Sequence, residues 1–191
     1  MGRAYKCLIC NEHDYDENMV IVVVKSVKRR IHQGDCCDTY LDDQASKKKE
    51  RDELDDLVEV IKRVHNIEII PHQFYSYLQD IRNGNEMFGR VGQRKSKSGY
   101  SYYVIMRCYE DNVDAINWSM NNKDFNGTMN LLKYTFAIVK DKIAGVNETL
   151  KRKEEQERIQ EDKKLNQSYE YELDSYSRKE KVDEQDISDM L

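Results

Sequence analysis

The segment RRIHQGDCCDTYL, residues 29–41, sets one histidine and two adjacent cysteines close together in a chain that has only five cysteines. A disulfide and a metal site are the two chemistries that would draw such residues together. Upstream, CLIC at 7–10 supplies a C-x-x-C pair. Two cysteines at that spacing can turn both sulfurs towards one ion, and a second pair after a β-rich spacer completes a tetrahedron. Disulfides are rare in a reducing cytosol, where clustered cysteines more often bind metal. The pattern therefore predicts a structural zinc site formed by Cys7, Cys10, His32 and Cys36. Adjacent cysteines point in different directions, so one binds and the other packs. Cys36 is favoured because it and His32 bracket a short turn at Gly34, with Cys37 and His13 held as replacements. The plainer alternative makes Cys7 and Cys10 small core residues and His32 an exposed strand residue.

Outward from this cluster, MVIVVVKSVKRRI (19–31) is rich in β-branched residues and predicts strand, with NEHDYDEN before it as a loop. Residues 1–41 are thus expected to be a zinc-binding module with a small β-hairpin of treble-clef or zinc-ribbon type. Beyond it the pattern turns helical. Leu54, Leu57, Val58, Ile61 and Val64 recur at spacings of three and four, which predicts a helix over 42–65 with one apolar stripe. A second helix is expected from near Pro71, with Phe74, Leu78 and Ile81 on one face and Asn83–Gly84 as its stop. Residues 100–110 fit either strand or helix, and helix is preferred. A short helix over 112–125 carries Val113, Ile116 and Trp118, with Trp118 expected to be at least partly buried. A long helix over 125–164 carries Leu131, Leu132, Phe136, Val139 and Ile143.

A single proline and eight glycines suit long helices better than a turn-rich sheet. Charged residues make up 35% of the chain and apolar ones 39%, so part of it must lie outside any core. The expected fold is therefore mainly α: a helical bundle over 42–150 behind the zinc-bound hairpin. Residues 151–191 are expected to be a charged helix extension that becomes a disordered tail from about 165. In that tail Ile187, Met190 and Leu191 could share one face of a short docking helix for a partner protein.

The net charge of −5 excludes a uniformly cationic nucleic-acid binder. Two local basic segments remain. Lys25, Lys28, Arg29 and Arg30 follow the first strand. Arg90, Arg94, Lys95 and Lys97 lie in a loop over 85–99, next to Tyr100, within a stretch (81–107) of net +5. Lysine and arginine neutralise phosphates and tyrosine can stack on bases, so these nine residues are the candidate contacts to DNA or RNA. No G-x-S-x-G, phosphate-binding glycine loop or H-E-x-x-H is present, and the four histidines form no i, i+4 pair. The expected protein is not an enzyme. Its N-terminus has no apolar run of signal-peptide length, and MVIVVV is far too short to span a bilayer, so a cytoplasmic protein without a membrane is expected.

The ligand pattern, with CDTYL after it and FYSYLQDI, GYSYYVIMRCYED and LLKYTFAIVKDKI further on, resembles the small zinc-finger proteins of phages and mobile elements of Gram-positive bacteria. The similarity covers about 1–145. Its His32–Cys36 spacing is one residue longer than the usual H-x-x-C. The resemblance implies a finger followed by a helical region and a phage-like origin. Two functions from different classes follow as expectations. One is a zinc-stabilised nucleic-acid-binding or transcription-regulatory protein. The other is a module that binds a host polymerase, nuclease or defence protein through the helical domain or the tail.

Overall fold

The computed structural model describes residues 3–85 and 96–188. Two antiparallel hairpins open the chain: β1 (Ala4–Lys6) pairs with β2 (His13–Tyr15), and β3 (Met19–Val24) with β4 (Val27–His32). A short 3-10 turn at Asp16–Asn18 joins them. Valine and isoleucine restrict χ1 and pack well on a pleated surface, which is why MVIVVV forms β3. Lys25 and Ser26 connect β3 to β4 with φ of 49° and 66°. Two left-handed residues in a two-residue loop match the strand twist, but L side chains adopt that conformation at a cost. Arg30 locks the two hairpins together. Its Nε donates to Asp16 Oδ1 at 2.5 Å, and its guanidinium lies 3.5 Å over the Tyr5 ring.

Five helices follow among the described residues: α1 (Asp35–His65), α2 (His72–Asn83), α3 (Tyr102–Asp111), α4 (Val113–Asn122) and α5 (Thr128–Ser188). Gly34, at φ 74°, turns the chain into α1. That helix runs unbroken across position 41/42, so the metal-ligand segment and the bundle share one rod. At 1.5 Å per residue, Cys36 lies about 30 Å from Leu57, where the core begins. Leu57, Ile61, Phe74, Leu78, Ile105, Cys108, Tyr109, Ile116, Leu132 and Val139 are fully enclosed in that core. Phe136 meets the edges of Phe74 and Tyr77 at ring separations of 5.7 and 5.6 Å. The segment 100–110, open between two readings in the sequence, is α3. It begins at Ser101, whose hydroxyl accepts from the Val104 N–H.

Two expectations are corrected. Trp118 is 61% exposed, because Ile116 takes the core and a residue two places on points to another side of a helix. The segment from 165, expected to be disordered, continues as helix to Ser188. The packed stretch of α5 from Leu132 to Ile143 has already met the cost of nucleation. After Gly145 no glycine or proline interrupts a run rich in Glu, Lys, Arg and Gln, so the helix propagates without burial. The described side chains of 151–167 are exposed throughout.

Candidate metal centre

The C-x-x-C segment forms a knuckle. Cys7 Sγ accepts from the Ile9 N–H at 3.4 Å, the Cys7 N–H donates to the Glu12 carbonyl at 2.8 Å, and Asn11 closes the turn at φ 66°. The β3–β4 hairpin then returns the chain to the same place. It delivers His32 from the end of β4, and Gly34 swings Cys36 in on the first turn of α1. The Leu8 N–H donates to the Arg30 carbonyl at 2.9 Å, tying the knuckle to β4.

Cys7, Cys10, His32 and Cys36 converge, with all four donor atoms within 4.8 Å of one another. His32 Nδ1 lies 3.2 Å from Cys10 Sγ and 3.7 Å from Cys36 Sγ. A tetrahedral ion with bonds of about 2.0–2.3 Å spaces its donors roughly 3.5–3.8 Å apart, so this separation suits a metal ion. No disulfide links the described cysteines. Cys37 instead faces the small apolar cluster of Cys7, Met19 and Ile31, and His13 sits exposed on β2, so neither joins the four.

Electrostatics give the same reading. Burial pushes the Cys7 thiol up, but the backbone N–H groups of Cys10, Ile9 and His32 outweigh it and hold the group at about 6. Cys36 is pushed up to about 11, by burial first and then by the neighbouring Cys10 and Cys7 sulfurs. One thiolate is welcome here and a second is not unless a cation joins them, because like charges in one site disfavour each other. Metal binding removes that conflict by deprotonating its ligands.

Asp14 went unread in the sequence, where NEHDYDEN looked like loop. Its Oδ2 lies 3.8 Å from His32 Nε2, on the ring nitrogen opposite the donor atom. Its carboxyl is held below the ordinary range by hydrogen bonds from the Asn18 side chain and the Tyr15 N–H. A carboxylate behind a metal-binding imidazole fixes the ring's orientation and tautomer. The available signal was Asp14's alternation with His13 and Tyr15, a strand pattern of only three residues.

The candidate nucleic-acid residues scatter. Lys25, Lys28 and Arg29 are exposed at and near the hairpin turn and make no ion pair among the described residues. Arg30 is engaged by Asp16 and Tyr5. Lys97 pairs with Glu50 of α1, which also receives Arg82 Nε at 3.0 Å. Glu50 is desolvated there, but these two cations hold its carboxyl below the ordinary range. Tyr100 packs against the bundle core. Arg90, Arg94 and Lys95, the Ile187 side chain, and Met190 and Leu191 lie outside the described residues. Gly99 approaches the end of α2 so closely that a Cβ would fall 1.8 Å from the Ile81 carbonyl oxygen. Only glycine fits there, and together Gly99 and the Glu50–Lys97 pair hold residues 97–99 against the bundle.

No helix among the described residues is long and apolar enough to cross a membrane. No curated protein and no solved structure matches the chain. The expected origin in a Gram-positive phage is matched by a family comparison: the model of the SPbeta prophage protein YorH family matches residues 7–189, almost the whole chain, and the chain belongs to that family.

Proposed function

We propose that this phage protein is a zinc-stabilised nucleic-acid-binding or transcription-regulatory protein, without catalytic activity, that acts in the host cytoplasm. The observation that carries the reading is the pairing of the four-donor cluster with an exposed basic ribbon built on it. Zinc is the favoured ion because three sulfurs and one imidazole nitrogen in a closed tetrahedral set are its usual structural ligands. Four protein donors leave no open position for a reacting water, which supports a structural ion. A two-stranded ribbon is narrow enough to enter a duplex major groove. Lys25, Lys28 and Arg29 sit at its free end with no acidic partner among the described residues.

A salt titration of duplex and single-stranded DNA and RNA binding tests this. Replacing all three cations with alanine removes about three phosphate contacts. The slope of log affinity against log salt for duplex DNA should then fall by about 2.7. An absence of binding at low ionic strength, or an unchanged slope, would sink the proposal.

The second reading, a module that binds a host protein, draws support from one feature. Exposed Trp118 overhangs a shallow cavity of about 740 Å³ between α4 and α5, lined also by Tyr134 and Ile138. Tryptophan is a frequent anchor of protein interfaces. A stoichiometric partner that survives nuclease treatment and is lost in Trp118→Ala would favour it.

A further inference from the structure

We infer that the outer edge of β3 pairs with the same edge of a second copy of this chain, making a four-stranded antiparallel sheet of order β4-β3-β3-β4.

The backbone of β3 supplies the first argument. The Gln33 N–H donates to the Asn18 carbonyl at 3.1 Å, which makes Asn18–Gln33 a hydrogen-bonded pair of the hairpin. Such pairs alternate in an antiparallel ladder. With Met19 opposite His32 and Val24 opposite Val27, the bonded pairs are then Val20–Ile31, Val22–Arg29 and Val24–Val27. Met19, Ile21 and Val23 therefore turn their N–H and C=O groups away from β4. The Met19 N–H is taken by the Asp16 carbonyl. Among the described residues nothing meets the outward groups of Ile21 or Val23.

The side chains of β3 are the second argument. Val23 is 64% exposed, Ile21 51% and Val20 37%. β-sheet proteins protect a free edge with lysine, proline, a bulge or a covering element. From Met19 to Val24, β3 carries neither a charge nor a proline, and its register with β4 is unbroken.

Charge then selects the partner. The other strand, β4, carries Lys28, Arg29 and Arg30, and its Arg30 carbonyl is already engaged by the Leu8 N–H. A β4-to-β4 contact would set these cations one strand spacing apart. A β3-to-β3 contact leaves three spacings of about 4.8 Å between them, roughly 14 Å. That is longer than the Debye length of about 8 Å at physiological salt. A two-fold axis beside Val22 pairs Ile21 of each copy with Val23 of the other, so all four outward N–H groups find carbonyls. The same register sets Val20 against Val24 and Met19 against Lys25 of the second copy. Such an interface is isologous and closes on itself, so it stops at two chains.

Sedimentation equilibrium on the metal-loaded full chain, with no nucleic acid present, tests the pairing. A small interface of this kind should give a dissociation constant on the order of micromolar. Val23→Lys puts a charge on the edge and should weaken the dimer at least tenfold. Val27→Lys, at an exposed valine one strand away from the edge, should leave it within about twofold. Metal content and far-UV dichroism matching the wild type keep the comparison between folded proteins, and Ile21→Lys serves as the second edge variant. A wild-type chain that stays monomeric up to about 100 µM would overturn the inference. Edge variants that dimerise as tightly as the wild type would do the same, since the contact would then lie elsewhere, such as on α5.

Discussion

Phe136→Ala and Trp118→Ala form a pair of substitutions with opposite expected outcomes. Phe136 is 4% exposed and sits edge-on to Phe74 and Tyr77. Deleting its ring removes a large buried apolar surface, two aromatic contacts and the atoms that fill the α2–α5 seam. Core Phe→Ala changes cost roughly 3–5 kcal/mol, and contacts on both sides of the ring argue for the upper half of that range. Trp118 is larger, but most of it stays in water, so its removal should cost less than about 1 kcal/mol. Urea unfolding of metal-loaded protein, followed by dichroism at the helix band, measures both. The midpoint should shift strongly for Phe136→Ala and little for Trp118→Ala, with the slope unchanged. A Trp118→Ala loss equal to or greater than that of Phe136→Ala would refute the register of α4 and α5 against the core.

Three further outcomes follow. His65 is buried, with Nδ1 at 2.8 Å from the Ile61 carbonyl and Nε2 at 2.8 Å from Thr135 Oγ1, and burial depresses its pKa below 6.5. The unfolded chain therefore takes up the proton first. Stability should fall as pH drops below about 6.5, by up to about 1.4 kcal/mol per pH unit until the lower folded pKa is reached, and His65→Gln should flatten that slope. An unchanged slope in the variant would assign it to other groups. The Tyr109 hydroxyl is buried and makes no hydrogen bond of ordinary geometry among the described residues, with the Thr135 side chain only weakly engaged, so Tyr109→Phe should be neutral or stabilising by up to about 1 kcal/mol. A loss above about 1.5 kcal/mol in thermal or urea unfolding would mean that the hydroxyl has a partner. Ser26→Gly removes left-handed strain from the hairpin turn and should stabilise the metal-loaded form by about 0.5–1 kcal/mol, and a loss of stability would contradict that turn geometry.

Much of the architecture was legible because periodicity reports burial directly. Leu57, Ile61 and Val64 on α1, Phe74, Leu78 and Ile81 on α2, and Leu132, Phe136, Val139 and Ile143 on α5 are buried at the positions their spacing predicts. Trp118 misled because bulk was weighed above angular position on the helix. Within α3 the core face belongs to Tyr102, Ile105 and Tyr109 as well as Val104 and Cys108, while Tyr103 is exposed. In a ten-residue helix so rich in apolar and aromatic residues the stripe is hard to place from sequence. The helical run beyond 165 was hidden because composition reports the lack of a core, which is separate from helix propagation. At the metal cluster the spacing pointed to the four residues that converge. Asp14 and the Glu50 clamp on Arg82 and Lys97 depend on tertiary approach, across 18 residues in one case and 32 and 47 in the other, and local pattern carries no trace of either.

Metal content and coordination of purified protein test the central claim most directly. Elemental analysis should find about one zinc per chain, and X-ray absorption should find three sulfurs and one nitrogen around it. Cys36→Ser should lose the ion while Cys37→Ser keeps it, because only Cys36 shares the donor cluster with Cys7, Cys10 and His32. Metal-free protein with an unchanged cooperative melt, or loss of zinc in Cys37→Ser but not in Cys36→Ser, would contradict the account.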